Sequence, residues 1–186
     1  MDGVAGPLFA GLALGSILLL AALGLSLTFG QMGVINMAHG EFVMAGAFTA
    51  YVVQQLISNA GVSLLLSIPL GFVVGGLLGV LLEEALIRRV YHRPLDTLLV
   101  TFGVSLILQQ VARDVFGAPS VAVAAPGWLG GSLILGSVEL PLARLFILGL
   151  SAACVAALAA VMRYTVLGRR LRATVQNRDL AETLGI

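Results

Sequence analysis

The residues able to handle a polar solute are few and unevenly spread. Gly30-Gln-Met-Gly-Val-Ile-Asn-Met-Ala-His-Gly-Glu41 brings amide, imidazole and carboxylate groups into an otherwise apolar chain, and Thr101, Gln109 and Gln110 add hydroxyl and amide groups further on. Their chemistry is that of holding and passing a solute. One imidazole and one carboxylate two residues apart, His39 and Glu41, do not complete a metal site or an acid–base pair, and His92 lies far along the chain. No G-x-S-x-G, C-x-x-C or G-x-G-x-x-G pattern occurs, so no catalytic residue, metal site or cofactor is expected. All ten basic residues are Arg; without Lys there is no G-x-x-x-x-G-K-[ST] phosphate loop, and any ATP-driven step needs another chain.

The glycines at 30, 33 and 40 leave two conformations open for the motif. As a helix it puts Asn36, His39 and Gly40 on one face and turns Glu41 elsewhere. Unwound, it lets Asn36, His39 and Glu41 converge on one cavity with free backbone groups, as broken helices in membranes do. A cytoplasmic turn whose polar residues meet water is the third reading. A carboxylate at bilayer depth costs about 2.5–3.5 kcal/mol on insertion scales, so an embedded Glu41 implies function.

The elements that must position these groups are set by composition. With 59% hydrophobic and 10% charged residues and a mean hydropathy of +1.06, the 186-residue chain calls for lipid as solvent. The fold expected is all-α and polytopic, about five spans in a single transmembrane domain over 1–186. The candidate spans are 7–29, a short second segment at 42–57 that reaches span length only if extended back to Gly33, then 63–87, 95–112 and 142–162. The first has no Lys or Arg before it and reads as a retained span rather than a signal peptide. Gly11 and Gly15, and Gly71, Gly75 and Gly79, are expected at close helix contacts, and Cys154 as a small packing residue.

Glu84 and Arg88 form an i,i+4 pair, Asp96 is expected to cap the helix after Pro94, and residues 113–141 read as an outer loop with a short hairpin near 133–140 and Trp128 as an interfacial anchor. The basic loop at 88–93 and the basic tail at 163–186 are placed inside, giving an amino terminus out and a carboxyl terminus in, with Arg113 and Arg144 as outer exceptions. A net charge of +1 without a basic face excludes nucleic acid as partner. Past residue 163, Leu171, Val175 and Leu184 among charges suit an amphipathic segment on the membrane face, with Asn177 or Asp179 starting a short helix that Gly185 ends.

Two separated motifs, Gly33-Val-Ile-Asn-Met-Ala-His-Gly-Glu41 and Gly168-Arg-Arg-Leu-Arg-Ala with Ala181-Glu-Thr-Leu-Gly-Ile186, resemble the integral membrane permeases of ABC importers for branched-chain amino acids and urea. Leu27-Thr-Phe-Gly-Gln-Met-Gly-Val-Ile-Asn-Met, Arg93-Pro-Leu-Asp-Thr-Leu-Leu-Val-Thr, Ser105-Leu-Ile-Leu-Gln-Gln and Met37 in place of Phe are similar to the urea branch. The resemblance implies a permease in the bacterial inner membrane. Its implied partners are ATP-binding subunits, a second permease, an extracytoplasmic substrate-binding protein and the lipid bilayer. It also implies that the cytoplasmic coupling segment 163–186 meets the ATPase through Gly168, Arg169, Arg172, Asn177, Asp179, Glu182 and Gly185. The expected solute is urea, with a branched-chain amino acid, or an ATP-independent channel or carrier, as alternatives. Asn36, His39, Glu41, Thr101, Gln109 and Gln110 are the expected pathway residues. Members of that family are longer, so the chain reads as a fragment.

Overall fold

Runs of Leu, Val, Ala and Phe without regular polar interruption produce long helices here, and short polar or glycine-bearing stretches separate them. The computed structural model describes residues 2–33, 35–90, 93–117, 121–135 and 138–176. In chain order the elements are α1 (Asp2–Met32), α2 (His39–Leu56), α3 (Ala60–Leu82), a π-helical turn (Glu83–Ile87), α4 (Arg88–Val90), α5 (Pro94–Phe116), a 3-10 turn (Gly127–Leu129), β1 (Ser132–Leu135), β2 (Val138–Pro141), α6 (Leu142–Tyr164) and α7 (Val166–Gln176). The protein is an all-α polytopic membrane protein. Among the described residues four stretches, Gly6–Gly30, Ala60–Val90, Leu95–Phe116 and Leu142–Tyr164, are long and apolar enough to cross a bilayer. The second segment does not join them: α2 has 18 residues with His39, Glu41, Gln54 and Gln55 among them. The chain divides into two compact units, Met1–Gly33 with Gly131–Ile186, and Val34–Gly130.

In the first unit α1 packs on α6, and Arg144 Nη1 donates to Gly6 O at 3.4 Å. Leu8, Leu12 and Leu18 are 61%, 58% and 60% exposed, which suits a hydrocarbon solvent. Two hydroxyls of α1 bond inside the helix, Ser16 to Ala13 O and Thr28 to Leu25 O, both at 2.8 Å, which suits them to surroundings without water. α1 ends at Gly33, whose φ of +63 only glycine adopts cheaply and whose N–H donates to Phe29 O at 2.8 Å. The expected hairpin is present: β1 and β2 pair antiparallel with Leu133 opposite Leu140. Thr165 breaks α6 in extended conformation and caps α7, its Oγ1 accepting from Gly168 N at 3.1 Å. Gly168 is buried where a Cβ would collide with the backbone of Met162 and Val161, and Arg172 Nη1 donates to Met162 O. The described amphipathic helix of the tail is therefore α7. The expected helix between Asn177 or Asp179 and Gly185 lies outside the described residues.

In the second unit α2 and α3 come into close contact where Gly71 faces Gly46, a Cβ on Gly71 lying 3.7 Å from Gly46 Cα. Gly75 and Gly79 have no neighbour within 4 Å of that position, and neither do Gly11 and Gly15 in the first unit; the expected close contact forms at one glycine of the five. Asn59 caps α3, Oδ1 accepting from Gly61 N (3.0 Å) and Val62 N (3.3 Å).

Three local expectations are corrected. Asp96 does not cap α5: Pro94 occupies the first helical position, and Asp96 sits within the first turn, where its carboxylate pairs with Arg93 at 3.4 Å. Among the described residues that is the ion pair present; Glu84 and Arg88 form none, since a π-helical turn replaces the α-helical geometry that an i,i+4 pair requires. Cys154 is exposed on α6 rather than packed.

α5 runs on to Phe116 and closes at Gly117 (φ +73), whose N–H reaches Arg113 O at 2.8 Å. The loop beyond is fastened back on its own unit. Gln54 Nε2 donates to Ala124 O and Gln54 Oε1 accepts from Ala124 N, each at 2.8 Å, while Trp128 covers Gly61.

Candidate functional site

Thr97, Thr101, Ser105 and Gln109 recur every four residues along α5 and so form one stripe on its surface. The first three are 0%, 0% and 6% exposed. An apolar helix that buries hydroxyls needs an acceptor for each. Thr97 Oγ1 reaches Arg93 O (3.0 Å), and Thr101 Oγ1 reaches Thr97 O (2.9 Å). The stripe then serves the segment before α2. Met37 N donates to Thr101 Oγ1 at 3.2 Å, which satisfies an amide that the chain break frees.

The break itself is the unwound form of the motif. Gly30 remains helical in α1, Gly33 has positive φ, the described residues 35–38 are non-helical, and α2 starts at His39. The helical face of Asn36, His39 and Gly40 is thus not formed. Asn36, 8% exposed, bends the chain locally, Oδ1 accepting from Ala38 N at 3.0 Å and its carbonyl from His39 N at 3.3 Å.

In the first turn of α2, Glu41 is 9% exposed and faces the same stripe. Ser105 Oγ donates to Glu41 Oε1, and Gln109 Nε2 donates to that oxygen at 2.6 Å and to Ser105 Oγ at 3.3 Å. Two neutral donors hold the carboxylate; among the described residues no cation pairs with it. Both bonds use Oε1. Glu41 also contributes to the lining of an open cavity of about 360 Å3 whose other walls include Met44, Phe48 and Val52 of α2, Val74 of α3, and Leu108, Val111 and Phe116 of α5. Phe48 and Phe116 stack at 4.1 Å between ring centroids, with Tyr51 edge-on to Phe116 at 6.0 Å. Contacts of residue 37 with 101, 41 with 105 and 48 with 116 make α2 and α5 parallel.

Of the residues expected from sequence, Glu41, Thr101 and Gln109 lie along this α2–α5 seam, and buried Asn36 sits in the turn before α2; of Asn36, His39 and Glu41, expected to converge on one cavity when the motif unwinds, Glu41 alone lines it, because the other two are held in the turn and at the start of α2. His39 is half-buried at the first position of α2. Gln110 departs: it is exposed and donates to Asp114 Oδ1 at 2.8 Å on its own helix, because the residue after Gln109 points about 100° away. Thr97 and Ser105 were not among the expected site residues; the four-residue spacing leading to Gln109 is the signal that finds them. In the coupling segment, Gly168 is buried and Arg169 and Arg172 are exposed on α7, whereas Asn177, Asp179, Glu182 and Gly185 lie outside the described residues. Among the described residues no group of three or more His, Cys, Asp or Glu could hold a metal ion.

Residues 8–186 match the family described as branched-chain amino acid transport system / permease component. The high-affinity branched-chain amino acid transport system permease protein LivH of Salmonella typhimurium is 29% identical over 191 residues, covering 96% of this chain and 61% of its own length. BraD of Pseudomonas aeruginosa, of the same description, is 28% identical over 95% of this chain and 60% of its own. A probable branched-chain amino acid transport permease protein of Methanocaldococcus jannaschii is 29% identical over 92% and 55%. The chain therefore spans about three fifths of the length of the curated relatives it matches. No solved structure matches it.

Proposed function

Because the chain belongs to the family of branched-chain amino acid transport system permease components, we propose that it forms part of the membrane-spanning permease of an ABC importer, a transport subunit and not an enzyme, and that its solute is a branched-chain amino acid. The observation that carries the reading is the α2–α5 seam, where a carboxylate, an amide and hydroxyls line up beside an apolar cavity on helices otherwise suited to lipid. Groups so costly to place in a membrane are kept for moving or holding a solute. In this reading the seam is a stretch of the pathway. Its hydroxyls and Gln109 offer a desolvating solute replacement hydrogen bonds, and the cavity walls accept an aliphatic side chain.

The remaining parts follow from the same reading. ATP-binding subunits would engage 163–186 and supply the hydrolysis that this Lys-free chain cannot perform. A second permease and an extracytoplasmic substrate-binding protein would complete the importer in a bacterial inner membrane. The basic clusters would face the cytoplasm, and α2 would enter partway from that side.

Urea is the second reading, favoured by the Met37, Arg93-Pro-Leu-Asp-Thr and Ser105-Leu-Ile-Leu-Gln-Gln strings. The named relatives and the apolar walls of the cavity support the amino acid over it. Uptake of labelled leucine, isoleucine and urea by cells carrying the intact operon separates them: leucine and isoleucine should accumulate in an ATP-dependent manner. Urea uptake without leucine uptake would overturn the solute. Flux through the full-length protein in vesicles lacking any ATPase would overturn the importer.

A further inference from the structure

We infer that the open cavity where α7 lies across the ends of α1 and α6 is a binding site for an anionic phospholipid, its phosphate on Arg172 and an acyl chain against Leu27, Met162 and Val175. The site goes beyond the transport reading and does not depend on which solute is carried. The cavity holds about 430 Å3, in the range of small-ligand pockets, and its lining is mixed, with Arg172 and Gln176 beside the apolar side chains. The apolar stretches Gly6–Gly30 and Leu142–Tyr164 run parallel: Arg144 meets Gly6 at one end, and at the other Gly30 and Met162 both line the cavity. The ends of two spans mark the depth at which a bilayer changes from acyl chains to headgroups. Tyr164, exposed at the end of α6, is of the residue type enriched at that level.

Charge and helix pattern choose the occupant. Residues 142–176 contain five Arg and no Asp or Glu, and among the described residues no acid pairs with Arg163, Arg169, Arg170 or Arg172. Arg172 Nη1 donates to Met162 O, which fixes the guanidinium at the end of α6; that group has five N–H donors, enough to hold a phosphate as well. Leu167, Leu171 and Val175 recur every four residues and form one stripe on α7, with Leu167 and Val175 exposed. Arg170 and Arg172, the neighbours of Leu171 in sequence, project about 100° from that stripe on its two flanks. An apolar stripe between arginines is the pattern of a helix lying in the membrane interface, its basic groups reaching headgroups. Inorganic phosphate would meet the arginine and leave the apolar wall bare, and a zwitterionic lipid brings a cation that the arginines repel. An anionic phospholipid matches both halves of the cavity.

Native mass spectrometry of the full chain in neutral detergent tests the site, with dioleoylphosphatidylglycerol, dioleoylphosphatidylcholine and inorganic phosphate as probes. Phosphatidylglycerol should bind roughly tenfold more tightly than phosphatidylcholine, and phosphate should not be retained. Arg172→Gln should weaken phosphatidylglycerol about fivefold, the attraction of one basic residue to an anionic lipid surface, and leave phosphatidylcholine unchanged. Gly30 has no neighbour within 4 Å of a Cβ position, so Gly30→Leu fills part of the cavity with every arginine kept, and it should weaken phosphatidylglycerol at least as much. Ser26→Leu, one turn earlier on the same wall, serves if Gly30→Leu does not fold. Equal affinity for the two lipids, phosphate retained as tightly as phosphatidylglycerol, or undiminished phosphatidylglycerol binding in the cavity-filling variant would overturn the proposal. So would loss of a copurifying ATP-binding subunit from Arg172→Gln at unchanged lipid affinity, which assigns the arginine to a protein contact. Leucine uptake by cells carrying the intact operon reads the other claim: its absence sinks the transporter and leaves the lipid site standing.

Discussion

Glu41 Oε1 and Gln109 Nε2 lie 2.6 Å apart, joining positions separated by 68 residues of sequence across two parallel helices. Ser105 shares the same oxygen. The carboxylate is thus held from α5 while its own helix carries it, beside the Met37–Thr101 bond and the Phe48–Phe116 stack that also join the two helices.

Gln109→Leu should destabilise the folded chain by about 1–3 kcal/mol, because it leaves a buried acceptor short of a donor. Ser105→Ala should act in the same direction. The double variant Glu41→Gln/Gln109→Leu should lose less than the sum of the single changes, with a coupling of about 0.5–3 kcal/mol. Thermal unfolding in detergent measures all of these, and strict additivity would remove the bond from the account.

Thr101→Val should cost about 1–3 kcal/mol by orphaning the Met37 amide at the chain break, and Thr101→Ser should restore most of it. If valine and serine behave alike in unfolding and in uptake, the hydroxyl does not hold the break.

Gly33→Ala should cost roughly 1–2 kcal/mol, since a side chain at φ +63 meets the left-handed penalty. Gly33→Asn should be milder than Gly33→Val, asparagine tolerating that region and a β-branched residue not. Equal tolerance of all three would mean that the backbone turns some other way.

Gly168→Ala should be among the most damaging single changes in the first unit, because its Cβ collides with Met162 backbone and pushes α7 off the end of α6. Arg169→Ala, on the exposed face of the same helix, should leave stability within about 0.5 kcal/mol of the parent. Comparing their melting temperatures with ATPase recovery on copurification separates a packing role from a docking role.

Gln54→Ala should release residues 121–126 without unfolding the unit, since it removes two hydrogen bonds worth about 0.5–1.5 kcal/mol each. Hydrogen exchange at Ala124 should rise while protection of α3 persists. Unchanged exchange would show that the loop is held elsewhere.

What the sequence determined by itself was whatever depends on neighbours along the chain. Long apolar runs without charge can only be helices in lipid, so the polytopic all-α class, the boundaries of the long helices to within a few residues, and the hairpin at 132–141 were legible from composition and turn signals. The shortness of the second segment was legible too, because Glu41, Gln54 and Gln55 set its ends. The tertiary structure decided what depends on residues far apart. Whether Gly30 or Gly33 ends α1 turned on one φ; Ser105 became a site residue and Gln110 did not because one turn of α5 faces α2 and the next position faces away. Asp96 lost its capping role to Pro94 at the first helical position, and Glu84 its partner to a π-helical turn. Above all, Glu41 reads from sequence as a lone carboxylate beside a histidine. Its donors lie 64 and 68 residues away, and only the packing of two helices brings an amide and a hydroxyl to it.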